Sequence, residues 1–218
     1  MAAVSETATE QPSAEQFGDP HAEEAIKAAL AAVAGPGSFF TGTERLAMAA
    51  RARVARGLAD AETDLPPIVA ATVDRVAVDA IATRPSHIEA WRDDGRDALA
   101  YVELVSVVSQ ICGIDSYRVG LGAGLDPLPA PVVGEPVPAA AEGAAKANAW
   151  VPTVGIALAP TALSALPREN ATKAGLGAAW YITDKVIHQY DVEPGRELTR
   201  PQMELVAART SWLNECFF

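Results

Sequence analysis

Ala supplies much of the apolar content along this chain, and the aromatic and β-branched residues that strands favour are gathered into a few short runs. The pattern therefore predicts helix over strand. From Glu23 to Ala34 the apolar positions suit a short helix, which the Gly35, Pro36, Gly37 cluster ends. Thr41 and Glu44 form a capping box, in which each side chain satisfies a free amide at a helix start, and Ala-rich helical sequence then runs to Arg56. Pro66 and Pro67 open a segment to about Ala82, Ser86 with Glu89 caps the next, and Asp97 is placed to cap a helix running through Cys112. Further on, Pro160 to Leu166 and Ala171 to Tyr190 read as helical. Thr199 with Gln202 makes another capping box for a helix from Arg200 to about Leu213.

These elements predict an all-α helical bundle. Residues 1–17 are rich in Ala, Glu, Thr, Ser and Gln, with too little apolar mass to repay ordering, and are expected to form a disordered arm. Residues 18–125 make an N-terminal helical domain. Across 126–149, Pro127, Pro129, Pro131, Pro136 and Pro138 are followed by an Ala, Gly and Glu tract that suits an extended linker, and residues 150–218 begin a C-terminal helical domain. A shift of 101 residues lays Val102, Glu103, Leu104, Val105 and Ser106 under Met203, Glu204, Leu205, Val206 and Ala207, and lays Gly113 under Asn214. Gly and Asn best accept the left-handed conformation that ends a helix, so both halves are expected to share one helical unit.

A chain of 218 residues buries a sizeable core without disulfide support. Its net charge of -11 excludes a typical nucleic-acid binder, which needs clustered Lys and Arg. Arg45, Arg51, Arg53 and Arg56 form the one basic run and are expected on a solvated helix face. No stretch approaches the roughly 20 uninterrupted apolar residues of a membrane span, so no membrane partner is expected. The acidic first residues lack the apolar segment of a signal peptide, and with Cys112 and Cys216 as the only cysteines the expected location is cytoplasmic. Cys112 closes the apolar run from Val102 to Ile111 and reads as core. His21, His87 and His188 read as satisfied or solvated, and no metal site or cofactor is expected. Gly120, Gly122 and Gly124 read as a turn, since no strand precedes them and no Lys completes a nucleotide-binding loop.

Glu204 and Cys216 carry the candidate chemistry. Eleven residues separate them, and on one unbroken helix they would diverge by about 120°. A turn at Asn214 would instead place Cys216 at the start of a returning helix, where free amides and the helix dipole stabilise a thiolate facing Glu204. Glu204 also reads, with equal weight, as a solvated first-turn acid.

This arrangement resembles the alkylhydroperoxidase D-like family of the carboxymuconolactone decarboxylase-like superfamily, whose motif is Glu, eleven residues, Cys, two residues, Cys, three residues, His. Glu204 matches the Glu and Cys216 the first Cys, within the stretch from Ala207, Ala208 and Arg209 to Leu213, Asn214 and Glu215. Leu128, Pro129, Ala130 and Pro131 with Gly134, Glu135 and Pro136 are similar to the linker of two-halved members. The second Cys falls at position 219, one past Phe218, and the His four residues later. An end on Cys216, Phe217 and Phe218 reads as a C-terminally truncated second half; the competing reading is a natural aromatic tail docked in a groove.

The resemblance implies a bundle of alkylhydroperoxidase D-like type with two related halves, the second incomplete. It implies a cofactor-free thiol peroxidase in which a thiolate attacks a hydroperoxide oxygen and a second thiol resolves the sulfenic acid as a disulfide. Glu and His relay protons in that scheme. Cys216 inherits the resolving position, so the 218-residue chain is expected to be catalytically incomplete. The implied partners are a small-molecule hydroperoxide, a thiol or dithiol reductant and further copies of the chain in a homo-oligomer. Glu103 and Asp115 occupy the Glu204 and Cys216 positions in the first copy, which is therefore expected to be a degenerate, structural site. A non-catalytic helical scaffold and a decarboxylase-like enzyme are the alternative readings.

Overall fold

Helix starts follow the local capping chemistry. The computed structural model describes residues 19–183, 186, 189, 191, 192, 195 and 197–215. The predicted arm over 1–17, His188 and Cys216 lie outside the described residues. Along the chain run α1 (Pro20–Ala34), α2 (Gly42–Ala55), α3 (Pro67–Val78), α4 (Pro85–Asp93), α5 (Ala98–Gly120), α6 (Pro167–Trp180) and α7 (Arg200–Leu213). The two-residue strands β1 (Ala144–Ala145) and β2 (Thr153–Val154) pair antiparallel. The protein is thus mostly helical, as the residue pattern predicts.

Both predicted capping boxes form. Thr41 N–H donates to Glu44 at 2.8 Å and Glu44 N–H returns a bond to Thr41 Oγ1 at 3.3 Å. Thr199 N–H donates to Gln202 Oε1 at 2.9 Å. Asp97 caps α5, accepting from Leu99 N–H at 2.7 Å. Three expectations need correction. Ser86 is not a cap: α4 starts one residue earlier, at Pro85, and the Arg84 N–H donates to His87 Nδ1. Pro160 to Leu166 yields only a single 3-10 turn, Ala159–Thr161, because its small and polar residues make local turn bonds such as Thr161 N–H to the Leu158 carbonyl. α5 does not stop near Cys112 or turn at Gly113; it continues to Gly120, carried by the burial of Ile111, Ile114 and Asp115 on either side. Of the three glycines read as a turn, Gly120 is the last residue of α5 and Gly122, at φ 68°, lies in the turn that follows.

The chain forms two compact units that part between Lys173 and Ala174, inside α6. In the first unit α5 is the central element. Its Tyr101, Leu104, Val107, Val108, Ile111 and Ile114 are buried, and α2 and α3 pack together against it through Met48, Ala49, Ala52, Val69 and Val73. Trp91 of α4 meets Tyr101 edge to face at 5.5 Å. α5 is long and apolar enough to cross a membrane by length and composition, but 67% of its most apolar window is buried inside the protein. That burial marks it as the core helix of the unit.

The stretch from 126 to 149 contains no helix. It is fastened to the first unit by Asp126 to Arg118, Val132 N–H to the Ala34 carbonyl, Val137 N–H to the Gly37 carbonyl and Ala141 N–H to the Ala165 carbonyl. Leu163 and Leu166 then close over Val102. In the second unit Leu176, Ala179, Ile182, Met203 and the stem of Arg200 are buried.

The basic run of α2 is not a solvated face, which corrects the sequence expectation. Each arginine has its own partner: Arg45 bonds Glu103 and Glu169, Arg51 bonds Asp74, Arg53 bonds Asp115 in a bidentate pair, and Arg56 bonds the Cys112 carbonyl and Ser116. Those acids arrive from α3, α5 and α6, far along the chain, so inspection of α2 alone could not reveal them.

Candidate functional site

Glu204 lies in the second turn of α7, and its carboxylate is anchored within the second unit. Arg200, one turn earlier, donates from Nε to Glu204 Oε1 at 2.5 Å. Tyr181, just past the end of α6, also hydrogen-bonds Glu204. Tyr181 and then Arg200 hold the Glu204 carboxyl below the usual carboxylate range, so it is ionised at neutral pH. Burial, with the neighbouring Glu204 carboxylate next in importance, pushes the Tyr181 phenol up to about 12. Arg200 is only 3% exposed, whereas the Glu204 side chain is 41% exposed and open to solvent. The set therefore joins an ionised acceptor, a neutral hydroxyl donor and a fixed cation, which are the groups a proton relay uses.

Tyr181 is the residue that sequence reasoning missed. Nothing local marks it, since it stands 18 positions before Thr199 in the sequence and only the fold returns it to α7.

α7 ends at Leu213 with Asn214 as its cap, at φ -96° and ψ 9°. The left-handed conformation expected at Asn214 falls instead on the next residue, Glu215, at φ 53°. The asparagine side chain is occupied otherwise: its Nδ2 donates at 2.8 Å to the Thr210 carbonyl, which also accepts from the Asn214 backbone N–H. The chain thus leaves the helix direction immediately before Cys216.

The residues aligned with this site by the shift of 101 behave differently. Glu103 is fully buried and accepts from Ser38 N–H, Phe39 N–H and Arg45, while Asp115 is closed in its pair with Arg53. Neither is open to a substrate. Cys112 is half-buried, and burial pushes its thiol up, which disfavours the reactive thiolate. Among the described residues no group of three or more His, Cys, Asp and Glu is arranged to hold a metal ion.

Comparison with family models, with curated proteins and with solved structures gives no match to this chain.

Proposed function

We propose that this protein is a thiol-dependent hydroperoxide reductase of alkylhydroperoxidase D type, with Glu204 as its acid–base residue and Cys216 as its resolving thiol. The observation that carries the reading is the ionised Glu204 carboxylate, held by Tyr181 and Arg200 on a helix that ends in a left-handed turn one residue before the cysteine. In the reaction a thiolate sulfur takes one peroxide oxygen, the O–O bond breaks, and the leaving alkoxide takes up a proton. The resolving thiol then displaces water from the sulfenic acid to give a disulfide, and a dithiol reductant restores both thiols. An ionised carboxylate can accept the resolving thiol's proton, and the Tyr181 hydroxyl can steady the charge left behind. The 218 residues supply two of the four motif groups, so the reading assigns turnover to a chain that carries all four.

The test adds a Cys directly after Phe218 and a His four residues later, and compares that chain with the 218-residue one in an organic hydroperoxide assay driven by dithiothreitol. The extended chain turns over, the shorter one does not, and Glu204→Gln lowers the rate of the extended chain by about a hundredfold or more. An extended chain that keeps its helical circular dichroism yet shows no turnover rejects the reading.

A second reading, a non-catalytic scaffold that associates through its helices, is favoured by one observation. Leu205, Val206, Trp212 and Leu213 of α7 are all exposed. It predicts self-association in sedimentation and a Cys216 thiol no more reactive than free cysteine.

A further inference from the structure

Three helices of the first unit each send one charged side chain into the same dry space. Arg45 of α2 is 1% exposed, Glu103 of α5 is 0% and Glu169 of α6 is 2%. Arg45 Nη1 lies 2.5 Å from Glu103 Oε1 and 2.9 Å from Glu169 Oε1, and its Nη2 reaches Glu169 Oε2 at 3.3 Å. One guanidinium thus faces two carboxyl groups. The remaining contacts come from uncharged groups: the Ser38 and Phe39 N–H groups on Glu103 Oε2, the Ala32 and Val33 carbonyls on Arg45, and the Ser106 hydroxyl on Glu169 Oε2 at 2.7 Å. The other charged groups nearby are engaged elsewhere. Arg168 of α6 is exposed and bonds the Pro36 carbonyl, and Arg53 of α2 is closed on Asp115 of α5.

A second observation has the same sign. Gln110 Nε2 donates to Ser106 Oγ at 2.6 Å, but the Gln110 Oε1, on a residue only 4% exposed, is buried with no partner. The cluster therefore holds two carboxyl groups to one cation, with an unsatisfied acceptor on the neighbouring Gln110. Burial in low dielectric resolves the excess of negative charge by retaining a proton on a carboxyl group.

We propose that Arg45, Glu103, Glu169, Ser106 and Gln110 form a proton-binding site in which Glu103, opposed by a second buried carboxyl group across one guanidinium, retains a proton at neutral pH, making the junction of α2, α5 and α6 sensitive to alkali. Burial pushes the Glu103 carboxyl up, against the opposing pull of Arg45, which agrees with this. The sign of the coupling follows. The unfolded chain releases this proton in the ordinary glutamate range, while the folded chain keeps it to higher pH. The contribution is therefore complete below the unfolded value and is lost as pH rises through the folded one. In that window one extra bound proton corresponds to about a tenfold loss in the folding equilibrium constant per pH unit.

The experiment has two arms on the full chain. In the first, side-chain carboxyl carbons of uniformly ¹³C-labelled native protein are followed from pH 4 to 10. A glutamate carboxyl signal still in its protonated position at pH 7 is expected, and its loss in Glu169→Gln assigns it to the pair. All glutamate signals at ionised positions at pH 7 overturn the proposal. In the second arm, unfolding by urea is measured from pH 5 to 9 for the wild type and for Glu169→Gln, whose amide is neutral and keeps a donor and an acceptor. Surface acids contribute equally to both chains, so the variant is expected to lose only the pair's share of the alkaline slope. Identical slopes overturn the proposal, and should the variant fail to fold, the carboxyl titration of the native protein decides alone. This inference is independent of the peroxidase reading, since none of its residues belongs to the Glu204 site.

Discussion

Helices α2 and α7 are each 14 residues long, and every boundary of one maps onto the other at an offset of 158 residues (42 to 200, 55 to 213). Each starts behind a threonine in the same extended conformation, Thr41 at φ -65° and ψ 161°, Thr199 at φ -66° and ψ 159°. Each carries Ala-Ala-Arg in its middle, at Ala49 to Arg51 and Ala207 to Arg209. Each ends in a cap near the helical region, Arg56 and Asn214, followed by a left-handed residue, Gly57 at φ 68° and Glu215 at φ 53°. Their surroundings differ. Met48, Ala49 and Ala52 of α2 are completely buried, whereas Val206 of α7, at the place of Met48, is 59% exposed. One local plan serves a core helix in the first unit and a helix with an open acid in the second. The sequence offset puts Leu58 where Cys216 stands, so only the second carries a thiol.

The comparison breaks most visibly at the buried cation. Arg45→Met leaves two buried carboxyl groups without their shared partner and is expected to cost on the order of 3–5 kcal/mol in urea unfolding. Arg200→Met in α7 is expected to cost no more than about 1 kcal/mol, because Glu204 can turn to solvent. Equal losses for the two would show that α7 is as deeply committed to packing as α2.

Side-chain truncation at the aligned apolar position probes the same difference one level down. Met48→Ala removes a fully buried side chain and is expected to cost about 2–5 kcal/mol, against about 0.5 kcal/mol for Val206→Ala. Electrostatics sharpen the picture of α7 alone. In an ultraviolet titration Tyr181 is expected to ionise near 12, and Glu204→Gln should bring it closer to the ordinary phenol range by removing the neighbouring carboxylate. The lowered Glu204 carboxyl contributes stability at neutral pH that is lost as pH falls through its folded value, so the variant should show a shallower acid slope.

These contrasts separate what the amino-acid pattern makes legible from what it does not. Thr41 with Glu44 and Thr199 with Gln202 were readable because a cap is written in residues three apart. The spacing of Glu204 to Cys216 singled the acid out, but it carried no sign of the Tyr181 and Arg200 that hold it. The arginines of α2 were misread because their acid partners come from 23 to 124 residues away, and no local rule distinguishes Arg45 from a solvated arginine. Gly113 was misread for a related reason: tertiary packing of Ile111 and Ile114 carries α5 through a residue whose own propensity is to end it. The shift of 101 aligned the fully buried Leu104 with Leu205, which is largely exposed, so short identity was a poorer guide than the cap geometry at both ends of α2 and α7.

The smallest expected effect tests the turn that leaves each helix. At Gly57 the left-handed backbone is occupied by the residue that adopts it freely, and a Cβ there would meet nothing within 4 Å. Gly57→Ala therefore costs only the conformational strain, about 1 kcal/mol, with no steric addition. At Glu215 the same conformation is held by a residue with a Cβ, so Glu215→Gly removes that strain while giving the unfolded chain more freedom. The two terms nearly cancel, and a net gain of no more than about 1 kcal/mol is expected. Opposite signs at the two positions in urea unfolding would establish that the turn before Cys216 is held by its context against local preference. A Glu215→Gly variant that is less stable than the wild type would mean that the Glu215 side chain itself holds the turn, and the likeness of the two helix exits would then be one of shape without a common cause.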